Sequence, residues 1–381
     1  MKTLSYDFLK VACTCVAVTA TLLAAPAVRA DQLLIGQVAP VSGLDASQGQ
    51  AYAAGMQMLF SSVNAQGGVN GHTFALLRKD DGGKPENTVT VTRQMLAESK
   101  PIALAGYFGN RNVNDLVASG VLEKEKIALI GYRTTEIRKE TPYVYNVRAS
   151  LGDEISKITE HLATIGITRL GLMYEAGDAA PAVLSAAEEA AKKAKARIVT
   201  KTSYPAGTTQ VYAAVADLLK DPPQAIILVT SGAAAAAFIE QYRAAGGTVQ
   251  LFANSGADIQ QLAKRLTEEQ MQGVAIAQVT PNPYKISTRL SKEFGDMAAK
   301  AQNNDAAVSY AMIEGYITAK VIVEAVRRQG ARPTREGMVT TLDAMGSFDL
   351  GGYMVGFRPG MRSGSRFVEL SIISSSGKIR Q

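Results

Sequence analysis

The sequence predicts an α/β chain whose parallel sheets are wrapped by helices on both faces, and three observations carry that expectation. Short runs that are apolar along their whole length recur after residue 31: LLIGQV (33–38), IALAG (102–106), IALIG (127–131), LGLMY (170–174), AIILV (225–229), VQLFA (249–253) and GVAIA (273–277). Parallel strands read this way because helices cover both sides of their sheet. Between the runs lie stretches with a one-sided apolar stripe; in the first, Tyr52, Met56, Leu59, Phe60 and Val63 recur at helical spacing. Strand, helix and strand, repeated along a chain of 381 residues, give a doubly wound architecture with room for two cores.

The first thirty residues stand outside that alternation. Lys2 and Lys10 precede an apolar segment of small residues, and VRA at 28–30 places small residues at a cleavage position. This pattern predicts a secretory signal cut after Ala30, and hence an exported protein. A membrane anchor fits less well, because three threonines and a proline interrupt the apolar run. Cys13 and Cys15, the only cysteines, both fall inside the signal. The mature chain therefore offers no disulfide, no thiolate metal site and no thiol nucleophile, and the cysteines sit too early for lipidation.

The formal charge is +6, and losing Lys2, Lys10, Arg29 and Asp7 lowers it by two, to +4. The basic clusters KKAKAR (192–197) and RRQGARPTR (327–335) fall at the ends of helical patterns, where cations meet the negative end of the helix dipole. No aromatic residues interleave with them, so no nucleic-acid partner is expected.

Next comes NAQGGVNG (64–71), directly after the first helical stripe. Gly67 or Gly68 suits a left-handed helix cap, with Val69 folding back on Val63. Asn70-Gly71 then turns the chain into the strand HTFALLRKDD (72–81). A phosphate loop would precede a helix and end in Gly-Lys-Ser/Thr, which this stretch does not. The long apolar stretch 306–326 contains Glu314, Lys320 and Glu324, and is expected as a buried helix and not a membrane span.

Catalytic patterns are missing. His72 and His161 are the only histidines, and neither has nearby partners for a triad or a zinc site. No nucleophile elbow, Walker loop or dinucleotide fingerprint occurs. The pair Asp80-Asp81 closes a strand and could face a ligand or simply sit in a polar loop. No catalytic residue, metal or cofactor is expected.

The order of LLIGQVAPVSGLDASQGQAYAAGMQMLFSSVNAQGGVNG, LLRKDDGGKPENTVTVTRQML and GYITAKVIVEAVRRQG resembles the solute-binding proteins of branched-chain amino acid ABC transporters. The resemblance spans essentially all of the chain after residue 31. It implies the two-lobed type I periplasmic-binding-protein fold, each lobe a doubly wound parallel sheet, with three hinge crossings. Lobe one is expected at 31–147 plus 282–356, lobe two at 149–277 plus 366–381, and hinges near 148–150, 278–281 and 357–365. It further implies a monomer that carries a small solute to a membrane permease and its ATPase. A sensor of the same fold is the alternative; an enzyme using Asp80-Asp81 is a more distant one.

Ligands in open α/β sheets bind outside the carboxyl ends of the strands. The expected site residues are accordingly Ser42 after the first strand, Tyr107, Asn110 and Arg111 after the third, and Arg133, Thr134 and Thr135 after the fourth. Tyr174, Ser231, Ser255 and Asp258 come from the loops of lobe two. In the resembling amino-acid binders a serine and a threonine hold the solute carboxylate; these positions fall at Asn110 and Thr135, with Arg133 replacing a small residue between them. A lobe-one aromatic falls near Gln48 and a lobe-two tyrosine near Ser231. The tyrosine and glutamate of the family's amine pocket fall near Ala179 and Ser255, so an ammonium would lack its usual partner unless Asp258, Asp178 or Glu175 substitutes. Arg133 and Arg111, beside Tyr107, Phe108 and Tyr132, instead suggest an aromatic or aliphatic organic acid that needs no amine.

Overall fold

The stop-and-turn stretch at 64–71 shows how local chemistry sets a crossover. The computed structural model describes residues 31–43, 46–136, 140–301 and 306–373, and the backbone of 379–380. Strand β1 (Asp31–Ala39) leads into helix α1 (Ala46–Ala65), whose end is closed by the Gly68 amide donating to Val63 O at 3.0 Å. Gly68 has φ +79°, and a Cβ there would lie 2.1 Å from the carbonyl oxygen of His72. Only glycine meets both conditions. Val69 joins Val63 in one apolar cluster, as the cap predicts. Asn70 and Gly71, at φ +52° and +81°, then turn the chain into β2 (His72–Asp80).

The chain continues through α2 (Pro85–Ser99), β3 (Ala103–Phe108), α3 (Asn110–Ala118), α4 (Val121–Lys124), β4 (Leu129–Arg133) and β5 (Val144–Tyr145). These strands form a wholly parallel sheet in the order β2-β1-β3-β4-β5. A second unit follows: α5 (Leu151–Thr164), β6 (Arg169–Glu175), α6 (Ala180–Lys193), β7 (Arg197–Tyr204), α7 (Tyr212–Lys220), β8 (Ala225–Val229), α8 (Gly232–Ala244), β9 (Gln250–Ala253), α9 (Ile259–Arg265), α10 (Glu268–Met271) and β10 (Ala275–Gln278).

The chain then returns to the first sheet with α11 (Arg289–Lys300), α12 (Tyr310–Gln329) and α13 (Arg335–Asp343), and adds a hairpin of β11 (Gly346–Asp349) and β12 (Met354–Phe357). Finally β13 (Glu369–Ile373) and β14 (Ile379–Arg380) complete the second sheet, in the order β14-β13-β10-β9-β8-β6-β7. β13 pairs antiparallel with β10, at an edge of the parallel core. The chain thus passes between the sheets three times: after β5, after β10 and after β12.

Every apolar run read from the sequence overlaps a strand, but β7 and the two-residue β5 were not among those runs. β7 is the edge of its sheet and half of it faces solvent, so RIVTKTSY mixes polar and apolar residues. Tyr204 is the last residue of that strand. The signal expected at residues 1–30 lies outside the described residues. Among the described residues no helix is long and apolar enough to cross a membrane.

One packing contact bears on the site. Where α1 crosses α12, a Cβ on Gly55 would fall 1.9 Å from Met312 O, and one on Gly315 would fall 2.0 Å from Tyr52 O. The two helix backbones therefore touch, and the position of Glu314, next to Gly315, is fixed by that contact. The far end of α12 is held as well. Asn70 Nδ2 lies 3.1, 3.0 and 3.1 Å from the carbonyl oxygens of Val326, Arg327 and Gly330 at the carboxyl end of the helix.

Candidate functional site

The carboxyl ends of the two parallel sheets meet, and two polar clusters lie where they touch. The first is ionic. Arg133, the last residue of β4, donates through Nη2 to Ser255 O at 3.2 Å, bridging to the loop after β9. Its Nε lies 3.5 Å from Glu314 Oε2, on α12 behind it. Arg148, in the first passage between the sheets, lies 3.6 Å from the same oxygen through Nη1 and 2.7 Å from Glu154 Oε1 through Nη2. Glu154, in the first turns of α5, also accepts from Ser255 N at 2.6 Å and from Ser255 Oγ at 3.0 Å. Arg148 Nη2 donates to Ser255 Oγ as well.

Both arginines and both glutamates are nearly sealed from water, Glu154 and Glu314 at 1% exposure. Burial pulls the Arg148 guanidinium down, but Glu314 and Glu154 more than offset it and leave it above its ordinary value. Burial pushes the Glu154 carboxyl up, against Arg148 and Ser255. Its hydrogen-bond partners are all donors, so the geometry holds the carboxylate form. Two buried atoms of this cluster make no hydrogen bond: Arg133 Nη1 and Glu314 Oε1. Beside the cluster, the Tyr353 hydroxyl donates between Val147 O (3.1 Å) and Val279 O (2.8 Å), tying two of the three passages together.

The second cluster is built on neutral partners. Asn110, at the start of α3, donates to Thr135 Oγ1 at 3.0 Å and accepts from Thr135 N at 2.8 Å. Across the gap, Glu175 at the end of β6 accepts from the Tyr204 hydroxyl at 3.1 Å and is also hydrogen-bonded to Asn110 and the Gly207 amide. Burial pushes the Glu175 carboxyl up; those donors oppose the rise and the charge of Glu136 adds to it. The Tyr204 hydroxyl accepts in turn from Ser231 N, and Ser231 Oγ caps α8 by accepting from Ala234 N. The clusters adjoin, because Thr135 Cγ2 lies 3.0 Å from where a Gly256 Cβ would be.

The structure thus brings Asn110, Arg133, Thr135, Ser231 and Ser255 to one interlobe region. Thr134 lines a small hollow beside it with Tyr132, Asn146 and Arg148. Others expected there are elsewhere. Tyr107 is wholly buried among Val113, Leu116 and Leu129, its hydroxyl 2.9 Å from Thr92 Oγ1; it packs lobe one and walls no cleft. Arg111 projects to solvent from α3, because alternate sides of that turn face inward at Asn112 and outward at Arg111.

Asp258 is the N-cap of α9, with Oδ1 accepting from Gln260 N and Gln261 N, and so is engaged by backbone amides. Asp178 is exposed. Ser42 is exposed and donates to Asp80 Oδ2 at 2.9 Å. Gln48 is buried in α1, and Tyr174 packs half-buried against the core of the second sheet. Asp80 closes β2 and Asp81 opens the loop after it; Asp80 ties that end to the loop after β1. Asp80 accepts from Val41 N and Gly82 N, while buried Asp81 accepts from Gly83 N, Thr88 Oγ1 and Asn112 Nδ2.

Sequence reasoning did not single out Glu154, Glu314 or Tyr204 as site residues. Glu314 carried a usable signal: a lone carboxylate inside an apolar helical run must find a cation or be expelled.

Comparison with known proteins agrees with this fold. A profile of the periplasmic binding protein family matches residues 32–369. A substrate-binding periplasmic protein from Ralstonia solanacearum shares 35% sequence identity and superposes with a TM-score of 0.84, covering 92% of this chain and 99% of that one. A Leu/Ile/Val-binding protein homolog from Brucella abortus is 23% identical over 341 residues, 84% of this chain and 83% of its own. An amino acid binding protein from Pseudomonas aeruginosa is 34% identical over 76 residues, only 20% of either chain. With its two doubly wound sheets and three passages between them, the chain belongs to the periplasmic binding protein family and has its type I fold.

Proposed function

We propose that this protein is the solute-binding component of an ABC importer and that its solute is amino-acid-like, carrying both an ammonium and a carboxylate. The observation that carries the solute class is Glu175. It is a half-buried carboxylate at the lobe boundary, and its partners among the described residues are the neutral Tyr204, Asn110 and the Gly207 amide. A solute ammonium would supply the missing cation, and pairing a desolvated charge is worth far more than pairing an exposed one. Arg133 keeps one buried donor, Nη1, for the solute carboxylate. This replaces the reading of an organic acid without an amine, since Arg111 faces solvent and Arg133 is already countered by Glu314. The descriptions of the Brucella and Pseudomonas relatives point to the same solute class.

The mechanism needs no covalent step, and the protein is proposed to release its solute unaltered. Solute bridging Asn110 and Thr135 on one lobe with Glu175 and Tyr204 on the other stabilises the closed arrangement. It can shift that equilibrium only by its difference in affinity for the two states. The closed monomer then docks on a membrane permease. A thermal-shift screen of the protein from residue 31 onward tests the solute class. Zwitterionic amino acids should raise the melting temperature, and Glu175→Gln should abolish the rise. A rise with amine-free acids and none with amino acids overturns the reading. Solute uptake that persists after deletion of the gene would remove the transport role.

A further inference from the structure

We infer that Glu314 is a specificity-determining residue: set behind Arg133, it makes the charged wall of the cleft neutral, so that solutes of zero net charge are taken and net anions are refused. The inference rests on the amino-acid-like reading above and adds to it the group that decides against acids.

The argument is one of charge balance. Arg133 and Arg148 supply two buried positive charges, and Glu154 and Glu314 supply two negative ones, linked at 2.7, 3.5 and 3.6 Å. An amine-free carboxylate entering beside Arg133 would add a third negative charge to this cluster, next to that of Glu175, where water cannot screen it. Removing a charge from water is repaid only by a partner that is not already taken. Arg133 can still donate one hydrogen bond through Nη1, which is enough to orient a carboxylate without attracting a net anion. Glu314 itself cannot touch the solute readily, since it lies behind Arg133 on α12. It holds this place on a helix that Gly315 and Gly55 allow to press against α1.

Two matched solute pairs read the effect: leucine with 4-methylpentanoate, and phenylalanine with 3-phenylpropanoate. Each pair differs only by the amine. By calorimetry, Glu314→Gln should tighten binding of the two acids by about tenfold or more, the size expected of one uncompensated charge a few ångströms away. The amino acids should gain less, so the ratio within each pair narrows. The double variant Arg133→Gln/Glu314→Gln returns the cluster to zero charge and should restore the wild-type ratio, though both solutes bind more weakly. A merely structural Glu314 would weaken both members of a pair alike and show no restoration.

Acids that bind Glu314→Gln no better than wild type overturn the inference. If Glu314→Gln does not fold, Arg133→Gln alone gives the opposite charge: 3-methylbutylamine should then gain at least about tenfold and the acids lose, and an unchanged order overturns it. If leucine and phenylalanine fail to bind wild type, the amino-acid-like reading falls, and the acids alone still decide on Glu314.

Discussion

The two lobes pack their helices by different means. In lobe one, α1 and α12 meet backbone to backbone, with a Cβ on Gly315 or Gly55 landing within 2.0 Å of a carbonyl oxygen of the other helix. In lobe two, the glycine of the strand β6 faces the ends of side chains: a Cβ on Gly171 would meet Leu218 Cδ2 at 2.7 Å and Pro223 Cγ at 2.8 Å. Its helix α8 is instead packed through the alanines of GAAAAAFIEQYRA. A backbone cannot move aside without dragging its helix, whereas a leucine can change rotamer. Lobe one is therefore set rigidly where it carries Glu314 to the cleft, and lobe two presents its polar groups from caps and loop ends on a more forgiving core.

The largest effect tests that contrast directly. Gly315→Ala should cost about 3 kcal/mol or more, the upper range for overpacking, while Gly171→Ala should cost about 1 kcal/mol. Urea midpoints of the two variants measure the difference. Equal losses would mean that the helix crossing is no more constrained than the strand. Gly315→Ala should also weaken solute binding beyond its effect on stability, because it displaces Glu314.

Next in size is the join between the lobes. Tyr353→Phe removes the hydroxyl that lies between Val147 O and Val279 O and leaves two buried acceptors without it. A loss of about 1–3 kcal/mol is expected in denaturant unfolding. Small-angle scattering without solute should show a larger radius than wild type, because two passages between the lobes lose their common tie. An unchanged radius would restrict Tyr353 to a packing role.

Helix ends give smaller effects, again one in each lobe. Asn70→Ala removes the amide that faces three carbonyl oxygens at the end of α12, and Ser231→Ala removes the N-cap of α8. Each should cost about 1 kcal/mol. They should separate in binding: Ser231 adjoins Tyr204 and Glu175, so its loss should raise the solute Kd, whereas Asn70→Ala should leave Kd unchanged. A shift in Kd with Asn70→Ala would show that the far end of α12 communicates with Glu314.

These residues also show how far the sequence could be read. The stop at Gly68, the contact of Val69 with Val63 and the turn at Asn70-Gly71 follow from local rules, since each depends on backbone conformation a few residues away. The strands apolar along their length were legible for the same reason. The site was legible only by position. Arg133, Asn110, Thr135 and Ser255 fall at strand ends, as any α/β ligand site requires, but their partners come from remote segments. Glu314 lies 181 positions after Arg133, and Glu154 lies 101 before Ser255. Nothing in the local pattern states which carboxylate meets which arginine. Tyr107 misled for a related reason. It sits near the carboxyl end of β3, but a side chain there faces either the cleft or the helices, and Thr92 on α2 takes its hydroxyl.

The smallest expected effect concerns Asp80, whose carboxylate gathers the loops after β1 and β2. The Val41 amide is the largest of the influences on its carboxyl and holds it below the ordinary aspartate range; desolvation, next in size, opposes it, and Gly82 N and Ser42 add to the lowering. Because the folded value lies below the unfolded one of about 3.9, the contribution to stability is complete above that value and fades as pH falls through the folded value. The group faces solvent, so screening keeps the contribution under about 1 kcal/mol. Asp81 behaves oppositely: burial pushes its carboxyl up despite Thr88, Gly83 and Asn112, so it opposes folding at neutral pH and ceases to do so as it protonates. Asp80→Asn should therefore flatten the acid limb of the stability profile only slightly, and Asp81→Asn should steepen it. An Asp80→Asn variant as pH-dependent as wild type would show that the strand-end loop of lobe one is held by its backbone alone.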